Sequence, residues 1–233
     1  MYTLALATLR RNIAFFVVVL AVVVMIEMMM HAVGIVALVF SGLTMLYTHR
    51  MIQLNEVYTW SDPLSTKGAD GSKIPIAGYI LRFVGIFMIL MMLMTGAFMT
   101  LSVLGFASND PSTSDVAQTI LGALIFMPAF ACVLGLFGSV LPACAERSDT
   151  SLRAAFSRGK ATFAQFVPRF MAGPCVVMIV GFVVMGQLEQ VVHSETGLIV
   201  QGILFAVATC FSLATALLTA TALSLSFLTS RTL

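Results

Sequence analysis

The chain has 233 residues, 60% of them hydrophobic and only 9% charged, with a net charge of +2 and a mean hydropathy of +1.04. A soluble domain carries about 25% charged residues, so a cover this thin excludes a soluble globular protein of this size, and so small a net charge gives no field to draw nucleic acid. Several apolar runs exceed the roughly 18–20 residues that cross a hydrocarbon core as a helix, and none alternates like an outer-membrane barrel. The expectation is an all-α, polytopic transmembrane bundle forming one integral membrane domain over residues 1–233.

The start has Arg10 and Arg11 ahead of an apolar run. That run continues too far for a secretory leader and shows no small-residue cleavage site, so it reads as a retained first span. It extends over about Ile13–Tyr47. As one helix it would reach about 52 Å against a core of about 30 Å. The basic residues decide how it folds. His49, Arg50, Lys67, Lys73 and Arg82 follow the run. Arg147, Arg153, Arg158, Lys160 and Arg169 lie farther on, with Arg231 at the end, while 107–115 and 189–197 hold no Lys or Arg. These basic segments share one side only if the run crosses twice, giving spans at about 13–30 and 32–48 with a hairpin tip near Glu27–Gly34. Gly34 would supply the turn, and Glu27 and His31 would reach interfacial water. The rival reading keeps Glu27 and His31 at membrane depth. They are four apart, on one helix face, where a carboxylate and an imidazole could relay a proton. Neither a metal site nor a haem is expected, since His49 and His193 complete the histidines and none pairs with His31 at matching depth; no cofactor is expected at all.

After the second span, "THRMIQLNEVYTW" reads as a helix continuing beyond the membrane, with Trp60 as an interface anchor. Next, "SDPLSTKGADGSKIP" reads as an irregular loop. It contains no GxxxxGK[ST], so a nucleotide phosphate site is excluded. Spans at about 76–106 and 116–141 follow, the second holding Pro128, which should kink it. The methionines of "MIEMMMH" and "MILMMLM" read as gap-filling or lipid-facing side chains. The stretch "SDTSLRAAFSRGKATFAQFVPRF" starts with a Ser148 or Asp149 cap. It reads as an interfacial helix over about 149–166, with Arg153, Arg158 and Lys160 contacting lipid headgroups. A span at about 167–188, containing Pro174, comes next. The last span, about 197–228, places Ala208, Ser212, Thr215, Thr219, Ala222 and Ser226 along one side, a small-residue face suited to close helix packing or to a partner. Cys132, Cys144, Cys175 and Cys210 form no CxxC and read as small hydrophobes.

The continuation of a span into "THRMIQLNE" and the basic amphipathic "SLRAAFSRGKATFAQF" before a later span resemble the layout of uncharacterised six-span bacterial inner-membrane proteins. The resemblance implies a bacterial membrane setting and supplies no activity. From the residues, the leading expectation is a non-catalytic accessory, assembly or packing subunit with both termini cytoplasmic. It would touch membrane lipids and a membrane-protein partner or a second copy of itself. A small transporter or channel using Pro128, Pro174 and the Glu27/His31 pair is the alternative. An intramembrane enzyme would need clustered His, Asp or Glu, and His49, Glu56 and Asp62 lack recognisable spacing.

Overall fold

The computed structural model describes residues 1–30, 33–103, 115–191 and 197–232. Among them every regular element is helical. α1 (Tyr2–Arg11) is a short amphipathic helix. It meets α2 (Ile13–Met30) at 82°, the chain turning at Asn12, whose side chain bonds back to the Thr8 carbonyl at 3.1 Å. α3 (Val33–Gln53) follows and packs against α2, so the long first run is divided between two helices. Gly34, expected to make the turn, lies inside the first turn of α3. α4 (Ile76–Val103) and α5 (Asp115–Phe137) follow, then the short α6 (Val140–Glu146).

α7 (Leu152–Phe170) runs through a π-helical turn, Met171–Cys175, into α8 (Val176–Val191), and α9 (Leu198–Thr229) completes the chain. Among the described residues, three helices are long and apolar enough to cross a membrane: Ile76–Gly96, Leu152–Leu188 and Leu198–Thr229. Two bent pairs, α1 with α2 and α5 with α6, raise that to five if each pair is one span.

The prolines act differently from one another. Pro128 sits within α5, and the bend of 42° falls later, between Phe137 and Val140. Pro174 cannot donate a backbone bond, and the π-helical turn around it absorbs the missing donor while the helix continues. The expected interfacial helix is therefore no separate element. Its apolar side, Ala155, Gly159, Thr162, Phe166 and Phe170, is buried, α7 packing against α5 and α9. Ser151 caps it, rather than Ser148 or Asp149, accepting from the Ala154 amide at 3.3 Å. A Cβ at Gly159 would collide with the Leu136 and Gly135 carbonyls, so this glycine is where α7 crosses the end of α5.

α9 is the hub, packing against α2, α3, α6, α7 and α8. It is 32 residues long, about 48 Å against a core of about 30 Å. The basic segments meet at one end. Arg11 bonds Asn55, Arg147 bonds the Lys73 carbonyl, and Arg231 pairs with Glu146 at 2.6 Å.

Candidate functional site

Two groups of polar residues are enclosed by the bundle. The first is at the basic end. α3 stops at Gln53, and the chain reverses through Asn55, whose φ of 56° is a left-handed value that asparagine tolerates better than most residues. The reversal returns Glu56 beneath Arg50, six residues earlier. Arg50 Nε donates to Glu56 Oε2 at 2.8 Å and Nη2 to Oε1 at 2.5 Å, a bidentate pair with 2% and 5% exposure. Arg50 Nη1 reaches across to the Ala145 carbonyl at 3.0 Å, tying in α6. Tyr58 donates its hydroxyl to Glu56 Oε2 at 2.6 Å, and the Ala69 amide donates to Oε1 at 3.1 Å. The Tyr58 amide in turn donates to Asn12 Oδ1 at 2.8 Å.

Burial opposes ionisation of Glu56, but the Arg50 and Tyr58 hydrogen bonds, the Ala69 amide and the Arg50 charge outweigh it. The carboxyl is held below its ordinary range. Burial and the Glu56 carboxylate push the Tyr58 phenol far up. The loop that read as irregular is thus folded over this pair. Lys67 and Lys73 bridge its two arms, and Gly68 sits so close to Arg50 and Glu56 that any side chain there would collide. Phe15, Tyr47 and Tyr58 pack ring on ring beside it, at 4.8–5.9 Å. Next to this network His49, wholly buried, shares a hydrogen bond with Ser224 of α9 at 2.7 Å between Nδ1 and Oγ.

The second group is on α2 and α9. Glu27 is 2% exposed, and Thr209 donates to its Oε2 at 3.2 Å. Thr209 is eleven residues past the start of α9 at Leu198, about 16 Å along the axis. The expectation that Glu27 reaches interfacial water is therefore corrected. The physical reason is that α2 stays helical through Met30, so Glu27 remains on a packed helix facing α9. His31 lies outside the described residues.

The small-residue face of α9 divides in two. Thr219, Ala222 and Ser226 are buried, whereas Ala208, Ser212 and Thr215, together with Thr219, line a cavity of about 530 Å³. α3 to α8 supply its other walls, largely phenylalanine, leucine and methionine. Arg153 and Lys160 are exposed, as headgroup contacts require. Arg158 is instead turned inward. It donates to the Asp149 carbonyl at 3.0 Å and to Ser139 Oγ at 3.4 Å, with its guanidinium 5.3 Å above the Phe227 ring. All four cysteines are free, Cys144 and Cys175 buried, Cys132 and Cys210 exposed. Among the described residues no three His, Cys, Asp or Glu side chains gather as metal ligands would.

The Arg50–Glu56–Tyr58–Asn12 network escaped the sequence reading, because its partners come from a helix end, a loop and the α1–α2 corner. The available signal was the presence of Arg50 and Glu56 either side of a helix stop. Comparison with protein-family models, with curated proteins and with solved structures returned no match.

Proposed function

We propose that this chain is a non-catalytic accessory or assembly subunit of a bacterial inner membrane, crossing it six times with both ends cytoplasmic and acting through helix contacts. The observation that supports this reading is the use of its buried polar groups. Arg50, Glu56, Tyr58 and Asn12 are 1–5% exposed and bonded to one another, tying together α1, α3, the loop and α6. Groups that act on a substrate must be reachable by it, whereas these are spent on closing one end of the bundle. The apolar surface left outside, including Leu81, Met88 and Met92 of α4, suits lipid, a membrane-protein partner or a second copy. Six spans follow if α2 and α3 each cross, which puts the basic end in the cytoplasm.

The test is the mass of the protein purified from its native membrane in mild detergent. A defined homo-oligomer, or a stoichiometric complex with another membrane protein, is expected. A monodisperse monomer alone would sink the subunit reading. For topology, single cysteines at Gly197 and Lys67 in a cysteine-free background should be labelled by an impermeant reagent from outside and from the cytoplasm, respectively; the reverse pattern would overturn it.

Glu27 favours one other reading. A carboxyl at membrane depth is a functional candidate in its own right, and a small proton-coupled transporter would place one there. Loss of proton-linked uptake in proteoliposomes on Glu27→Gln, with the fold intact, would replace the first reading with this one.

A further inference from the structure

The cavity beside α9 is a half-open cleft between α4 and the rest of the bundle. Its α4 wall is Phe83, Ile86, Phe87 and Leu90, the i, i+3, i+4 and i+7 positions of one helix face. Its opposite wall is the Ser212–Thr219 side of α9. Size limits what can fill it. A helix about 10 Å across that crosses a 30 Å core occupies on the order of 2,000 Å³, several times the 530 Å³ present. An acyl chain, far narrower than a helix, is the apolar group that suits a cleft of this size. The lining is too apolar to hold a polar solute of that volume.

The chemistry at its basic end says which lipid. Arg82 is one turn from Ile86 on the same face of α4, and it touches Cys144 of α6 at 3.8 Å, one turn beyond the lining residue Leu141. Arg82 therefore lies one helical turn beyond the cleft lining, toward the basic end. Arg82 donates to the Gly78 carbonyl at 2.8 Å and to Thr150 Oγ1 at 3.1 Å. It forms no ion pair among the described residues, where the two pairs are Arg50–Glu56 and Arg231–Glu146. A half-buried cation with no counter-charge, backed by a hydroxyl, suits a phosphate, and Arg presents five donors for it.

We propose that the cleft binds one anionic phospholipid, an acyl chain between α4 and α9 and its phosphate on Arg82. The site is distinct from the exposed Arg153 and Lys160. It rests on the membrane location argued above but not on any protein partner, so a monomer that holds lipid would separate the two proposals.

The experiment is native mass spectrometry of the full chain in mild detergent, offered equal phosphatidylglycerol and phosphatidylethanolamine. One phosphatidylglycerol per chain is expected to stay bound. Arg82→Gln should weaken its retention about tenfold, as expected for loss of one charge-assisted contact, and bring the two lipids level. Ser212→Phe, which fills the cleft, should abolish retention of both. Inorganic phosphate should not compete. Equal retention of the two lipids by the wild type, unchanged retention in both variants, or competition by inorganic phosphate would overturn the proposal. As a check that needs no variant, phosphatidylglycerol carrying a diazirine near its acyl terminus should label peptides of α4, α8 and α9 in the wild type, and labelling spread evenly over the lipid-facing surface would equally overturn it.

Discussion

At the scale of single residues, the two buried carboxyl groups behave oppositely. Glu56 faces a buried guanidinium, and removing one partner of such a pair leaves the other charge stranded. Glu56→Gln should therefore destabilise the protein by about 3–5 kcal/mol, read as a lower melting temperature in detergent. Because its folded pKa is depressed, the stability that Glu56 contributes is complete above its ordinary pKa of 4.5 and lost as pH falls through the lower folded value. The wild-type melting temperature should drop on acidification below about pH 4.5, and Glu56→Gln should flatten that part of the profile; an unchanged profile would mean the pair is not formed. Among the described residues, the hydrogen-bond partner of Glu27 is the Thr209 hydroxyl. A glutamine keeps an acceptor for that hydroxyl without a group that must be ionised or protonated in an apolar setting. Glu27→Gln should thus melt at the same temperature as the wild type or higher, and a fall comparable to that of Glu56→Gln would show a missing partner for its charge.

Among the elements, α9 and α7 show what a pattern of small residues can and cannot say. The alternation of Ala, Ser and Thr along α9 identified a helix that packs closely, and the fold puts it at the centre. It did not say where packing ends and open space begins, since that depends on how far α4 stands from α9. The division gives opposite expectations for similar substitutions. Ser226 is 5% exposed and lies off the cleft, so Ser226→Leu should cost about 1–3 kcal/mol by overpacking. Ser212 lines the cleft, so Ser212→Leu should change the melting temperature little. Equal losses in the two would mean the cleft is closed in the membrane. Gly159 makes the same point from the other direction. In the sequence it looks like a weakness in an amphipathic helix, while in the fold it is the one position thin enough for α7 to lie against the α5 carbonyls. Likewise Pro174 announced a distortion without its form, because a kink and a π-helical turn both answer the missing amide. The Arg50–Glu56 pair was legible only as two charges near a helix end, because their meeting depends on the reversal at Asn55 and on a loop whose composition signals irregularity rather than closure.

For the molecule as a whole, composition and the length of the apolar runs identified a helical bundle, and length together with the placement of the basic residues led to the expectation of a hairpin over the first run. Less legible was how much of that bundle stands clear of the membrane. An untilted α9 starting at one membrane surface would carry its last ~18 Å beyond the core, so the expectation is that the layer holding His49, Arg50 and Ser224 stands outside the membrane. Single cysteines at Leu228 and Phe205, in a cysteine-free background, should react differently with a water-soluble maleimide in membranes opened to both sides: fast at Leu228, slow at Phe205. Equal rates would place the whole of α9 in one environment.

The central position of α9 has a consequence for synthesis. The helices that surround it, α2, α3, α6, α7 and α8, all leave the ribosome before it does. Until α9 arrives, Glu27 has no Thr209 and His49 no Ser224, and both groups are left unanswered. The nascent protein is therefore a ring of early segments awaiting its axle. A chain stopped at Gly197 should insert yet be cleared by membrane proteases, and α9 supplied as a separate polypeptide should restore its half-life.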